Sequence, residues 1–247
     1  MPLLRQAAGH RAQQFMALRG NEPIICCMAQ HHSVPAVSRA QTPGEEIANS
    51  LSHGLGLALA IAALPILVVH FAELGSATTL VGGIIFGSTA ILLYLVSTLY
   101  HALPQKRVKG VLQVVDHVAI YLFIAGTYTP FTLGVLHGVW GWTLFGLIWA
   151  LALAGLFFKA LGGTRFPRLS TFLYLAMGWV VLIAIRPLWV DMPAPGLALL
   201  LAGGVSYTLG VVFFLLDEKV PYTHFIWHLF VLAGTVFHFF AVLLYAA

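Results

Sequence analysis

Residues 78–101 read TTLVGGIIFGSTAILLYLVSTLYH, without one Asp, Glu, Lys or Arg. A run this long and this apolar has the length a helix needs to cross about 30 Å of hydrocarbon at 1.5 Å per residue. It does not alternate polar and apolar residues as a barrel strand does over about ten residues. Six more such stretches flank it, so the spacing predicts seven membrane helices near 50–72, 78–101, 111–134, 139–158, 169–190, 195–216 and 221–245. Gly and Pro recur inside them, Pro65 and Pro130 for example, as membrane helices tolerate.

Composition agrees. Of 247 residues, 60% are hydrophobic and only 8% charged, and mean hydropathy is +0.93. A water-soluble domain carries about 25% charged residues, so an ordinary soluble enzyme is excluded. Disorder requires low hydrophobicity and is excluded too. The net charge of +4 gathers into no basic face able to grip phosphate, which removes nucleic acid as a partner. The chain is read as an all-α, polytopic seven-helix bundle spanning 44–247, preceded by a mobile N-terminal tail over 1–43. Cys26 and Cys27 are adjacent, imply no disulfide framework and form no cysteine zinc site.

Charge placement orients the bundle. Eleven of the twelve Lys and Arg lie in the tail or in the connections after spans 2, 4 and 6, and Arg186 alone lies on the other side. The positive-inside rule then puts the N-terminus in the cytoplasm and the C-terminus outside, in a cell (inner) membrane. That orientation is opposite to the G-protein-coupled receptors. A retinal protein is disfavoured because span 7 has no Lys for a Schiff base.

With that topology the polar residues of four spans converge on one depth, in the inner leaflet. Glu46, Asn49 and His53 open span 1, Ser97 and His101 close span 2, Asp116 and His117 open span 3, and His224 and His228 open span 7. Ionisable residues inside a membrane are expensive and are functional candidates by default. His224 and His228 are separated by four residues and share a helix face. With His101 they offer three nitrogens to Zn²⁺ at about 2.0–2.1 Å and leave a fourth position open, the pattern of a catalytic site. Asp116 is the one acid well inside a span, and a carboxylate beside a zinc site can orient water or take its proton. Taken singly, the same residues have plainer readings: Ser97 as a hydroxyl bonded to its own backbone, Glu46 and Asn49 as helix-start residues near the dipole's positive end. His70 and His137 fall at the outer surface. His238 lies nearly four turns beyond His224, too far to share its metal. No other span offers a matching pair for stacked haems, so His238 is read as a buried polar contact.

These residues also carry a resemblance. Glu46-x-x-Asn49-x-x-x-His53, Ser97-x-x-x-His101, Asp116, and His224-x-x-x-His228 with His238, together with Gly126-Thr-Tyr-Thr-Pro-Phe131, resemble the hemolysin III family, within the progestin and adipoQ receptor group. The match covers residues 44–245. The resemblance implies zinc held by His101, His224 and His228, with Asp116 holding the reacting water and Ser97 beside the site. The wider superfamily includes alkaline ceramidases, so it implies lipid-amide hydrolysis. Bacterial members have been named as cytolysins and linked to membrane-lipid homeostasis. Hormone-receptor function is not implied, since no large folded cytoplasmic domain accompanies the spans.

Two function classes follow. One is a zinc-dependent intramembrane hydrolase of a lipid amide or ester, with Asp116 and Ser97 catalytic, His101, His224 and His228 on the metal, and Glu46, Asn49 and His53 supporting. The other is a non-catalytic pore-forming cytolysin, or a sensor of membrane state, with structural zinc. A pore needs a continuous polar path, and the outer halves of the spans are almost entirely apolar. A zinc transporter ranks third, because only Asp116 offers an acid within the membrane.

Overall fold

The computed structural model describes residues 39–136, 138–163 and 165–247. Residues 1–38, His137 and Thr164 lie outside the described residues, and with them most of the expected tail and one of the two histidines expected at the outer surface. Among the described residues the regular structure is helical throughout, with no strand. Seven helical stretches among the described residues are long and apolar enough to cross a membrane.

Helix α1, Pro43–Glu73, starts well before the expected 50. Thr42 and Glu45 form a reciprocal cap: the Thr42 side chain accepts from the Glu45 N–H, and the Thr42 N–H donates to the Glu45 carboxylate. Pro43 at the first helical position is already set in φ and lacks only an N–H the helix does not use. The early start places Glu46 and Asn49 inside the helix, two turns and one turn before His53 respectively. Helix α2, Ala77–Ala102, is capped by Ser76 and stops before Pro104. Helix α3, Lys106–Leu133, and helix α4, Gly138–Gly162, follow.

The fifth span is not one helix. It runs as α5, Pro167–Gly178, a 3₁₀ segment over Trp179–Ala184, and α6, Ile185–Asp191. Two causes meet at the break. Pro187 cannot donate to the carbonyl one turn before it. The Tyr128 hydroxyl of α3 inserts into the ladder, accepting from the Val181 N–H at 2.8 Å and donating to the Gly178 carbonyl at 2.8 Å. Helix α7, Ala194–Leu216, and helix α8, Thr223–Tyr245, complete the chain.

Helix α1 packs extensively against α2 and also against α8, α2 against α3, α3 against α4, and α7 against α8. Lipid tails are as apolar as leucine, so close helix approach depends on small residues at the seams. Gly56 of α1 is the clearest case near the polar end: a Cβ there would lie 2.6 Å from the Tyr94 ring of α2. The absence of that carbon lets Tyr94 stand edge-on to His53, with ring centroids 5.0 Å apart.

Candidate metal centre

The starts of α1, α3 and α8 and the end of α2 meet at one end of the bundle. The connection from α7 to α8 is tied to α1 there. Arg39 grips both oxygens of Glu45, at 2.7 and 2.6 Å, and also donates to the Asp217 carbonyl at 3.2 Å. The paired carboxylate raises the Arg39 pKa further above its already high value. Glu45 accepts in turn from the Tyr222 N–H at 2.8 Å. Tyr222 has φ 62°, a left-handed conformation uncommon for a side chain of this size, and that hydrogen bond helps hold it. Helix α8 begins at the next residue.

This clamp sets the height of His224 and His228 against α1 and α2. His101, His224 and His228 each offer a ligand atom, and these atoms lie within 4.8 Å of one another. Their ring centroids are 5.1 Å (His101 to His224), 5.0 Å (His101 to His228) and 4.7 Å (His224 to His228) apart. Three histidines are therefore close enough to hold one metal ion.

The outer nitrogen of each ring is already bound. His101 Nδ1 donates to the Glu46 carboxylate at 2.8 Å. His224 Nδ1 donates to the Asp217 carboxylate at 2.9 Å. His228 Nδ1 donates to the Asn49 carbonyl at 3.2 Å and lies 3.1 Å from the Ser52 hydroxyl. A proton fixed on Nδ1 leaves the lone pair on Nε2, the arrangement by which a second layer orients metal-ligating imidazoles. The buried Nε2 of His101 has no hydrogen-bond partner among the described residues, as expected of an atom placed for a metal.

The remaining expected residues flank the cluster. His53 stacks on His228, with centroids 3.5 Å apart and planes at 13°, and its Nδ1 is 2.7 Å from the Ser97 hydroxyl. The Asp116 side chain interacts with the same hydroxyl. Ser97 thus links α1 to α3 rather than bonding only its own helix. Asp116 is not one of the three clustered ligands and reaches the centre through Ser97. Asn49 supplies its carbonyl to His228, and its amide lies 3.5 Å from His101 Nδ1. Glu46 is shared between His101 and Lys109. His238 stands apart, bonded to the Leu200 carbonyl at 3.2 Å.

Sequence reasoning missed Asp217, Glu45 and Ser52. The reciprocal cap Thr42-x-x-Glu45 is a readable signal for Glu45. Ser52 is one residue from His53 and points to a different neighbour. Asp217 sits in a connection, and nothing in its spacing marks it as the partner of His224.

Comparison with known proteins agrees with the geometry. The family model described as "Haemolysin-III related" matches residues 41–239. Hemolysin-3 of Bacillus cereus is 48% identical over 201 residues, covering 81% of this chain and 91% of that protein. The Hemolysin-3 homolog of Bacillus subtilis (strain 168) is 48% identical over 201 residues, covering 81% and 94%. The human Monocyte to macrophage differentiation factor is 32% identical over 167 residues, covering 64% and 67%. The seven-helix architecture, the three-histidine cluster and these matches lead to one conclusion: the chain is an integral membrane protein of the haemolysin-III-related family.

Proposed function

We propose that the three-histidine centre holds zinc and that the protein hydrolyses an amide or ester bond of a membrane lipid reaching it from the cytoplasmic leaflet. The observation that carries this reading is the anchoring of all three Nδ1 atoms, which leaves each Nε2 for one ion. Three neutral imidazoles are a donor set suited to zinc, with a coordination position left over. Zinc so held supplies Lewis acidity toward an acyl carbonyl and an acidified water.

The chain's own residues divide the remaining work. Asp116 orients the attacking water and accepts a proton. Ser97 turns its one hydroxyl proton from Asp116 toward the developing oxyanion as that carboxylate takes up the water's proton, and His53 holds the hydroxyl oxygen in place. Glu46 and Asp217 keep His101 and His224 aimed. The positive-inside rule supports the cytoplasmic placement of this end, where Arg39 and Lys109 also lie.

The test is metal analysis of the purified full chain, followed by incubation with a broad panel of ceramides, phospholipids and acyl esters. The expected result is about one zinc per chain and metal-dependent release of fatty acid. Stoichiometric zinc with no release from any lipid removes the catalytic reading. The name Hemolysin-3 carried by the Bacillus relatives favours a second reading, a membrane-permeabilising protein with structural zinc. Conductance across liposomes that survives His228→Ala would select it.

A further inference from the structure

Beside the metal centre, between α3, α4 and α5, lies a second group of buried polar atoms. Lys159, near the end of α4, is 0% exposed, and its Nζ has no hydrogen-bond or ion-pair partner among the described residues. His117 Nδ1, on α3, is likewise buried without a partner there, and the Tyr121 hydroxyl on the same helix is buried with only the Ser170 side chain beside it. The three groups belong together. His117 is close enough to interact electrostatically with both Lys159 and His224. Gly155, one turn before Lys159 on the same face of α4, packs so closely on Tyr121 that a Cβ would lie 2.4 Å from its ring. Tyr174 of α5 closes the group, its ring 4.5 Å from Tyr121 and its hydroxyl donating to the His117 carbonyl at 2.9 Å.

A buried ammonium without a counter-ion is costly, and in a membrane interior it is ordinarily paired or turned toward a ligand. Here one cation and two neutral groups able to donate stand together with no acid paired to the lysine. That set matches an oxyanion with several acceptor oxygens. Lys159 lies within one turn of the end of α4, and Arg165 and Arg168 follow it, so the group lies toward the end of the bundle where basic residues gather. The packing of α5 on α3 and α4 is sparse compared with the α1 to α2 and α2 to α3 seams, which makes that side a route for a lipid.

We propose that Lys159, His117 and Tyr121 form a binding site for the phosphate of an anionic membrane phospholipid, next to the metal centre. Binding there needs no turnover, so the site stands or falls separately from the hydrolase reading.

The test uses the full-length, metal-loaded chain in phosphatidylcholine nanodiscs, with and without phosphatidylglycerol. Bound lipid is counted by native mass spectrometry, and melting is followed in parallel. The expected result is one retained phosphatidylglycerol per chain and a raised melting temperature. Both are lost in Lys159→Met, whose affinity falls about tenfold or more, while His101→Ala still retains the lipid. Lys159→Met removes an unpaired buried charge, so it is expected to fold and to melt above the unaltered chain in phosphatidylcholine alone. Tyr121→Phe, which deletes only one oxygen, is expected to weaken retention several-fold. Equal retention by the unaltered chain and by Lys159→Met overturns the proposal. So does retention of oleate in place of phosphatidylglycerol, which would make the ligand a carboxylate. A melting shift with inorganic phosphate alone would remove the lipid.

Discussion

The two ends of the bundle are built on different principles. Where α1 ends, most buried residues are apolar, among them Leu67 and Phe71 of α1, Leu136 after α3, Leu144 of α4, Leu188 of α6 and Val242 of α8, with Thr79, Thr129, Thr132 and His238 as the polar exceptions. Where α1 begins, the interior holds imidazoles, carboxylates, hydroxyls and an amide, most of them paired with one another. The apolar end holds helices together by packing, with Gly83 seated against the Phe71 ring. The polar end carries desolvation costs that packing of similar volume would avoid. Among its buried unpartnered atoms are His101 Nε2, in the three-histidine cluster, and Lys159 Nζ in the neighbouring group. Stability and chemistry are thus spatially separated, and substitutions at the two ends should fail differently.

The largest expected effect is at the polar end. His228→Ala removes one of three ligands, and metal content should fall from about one per chain to below about a tenth, read by elemental analysis of the purified protein. Retention of full metal content would move the site elsewhere. At the apolar end, Phe71→Ala should lower unfolding free energy by ~3 kcal/mol through the cavity it leaves, with metal content unchanged. Denaturation in detergent micelles measures it, and loss of metal alongside stability would couple the two ends.

Asp217→Asn keeps the size of the side chain but weakens the anchor on His224. Metal affinity should drop about 10–100-fold by competition with a chelator, with little change in the unfolding of the metal-free chain. A stability loss as large as that of Phe71→Ala would make Asp217 structural instead. Lowering pH tests the same layer from the proton side. A metal-ligating imidazole must be neutral, so metal should stay bound near pH 8 and be released as pH falls toward about 5. The smallest effect belongs to the clamp's exposed member. Arg39→Ala should lower stability less than Phe71→Ala in the same denaturation measurement, because the guanidinium is partly solvated and Glu45 keeps its bonds from Thr42 and Tyr222.

Much of this was readable before any coordinates. Seven long apolar runs admit no other way to hide their surface. The His224-x-x-x-His228 spacing places two imidazoles on one face by helix geometry alone. The depth match of His101 and Asp116 follows from counting spans. The start of α1 is legible too, since Thr42-Pro43-Gly44-Glu45 is a helix-start signal, although a hydropathy window ignores it. The break at Trp179–Ala184 was less accessible: Pro187 is visible in the chain, but the Tyr128 hydroxyl that accepts from Val181 comes from another helix.

The sequence by itself determined the number of spans, their apolar character and the common depth of the polar residues, because these depend on local hydropathy and helical periodicity. Only the tertiary structure decided which nitrogen of each histidine is free and that Ser97 joins His53 to Asp116. It also decided that Asp217 holds His224 and that Lys159 lies buried without a partner. Those outcomes depend on how helices rotate and pack against one another, and hydrogen bonds between distant residues select among rotations that hydropathy alone leaves equal.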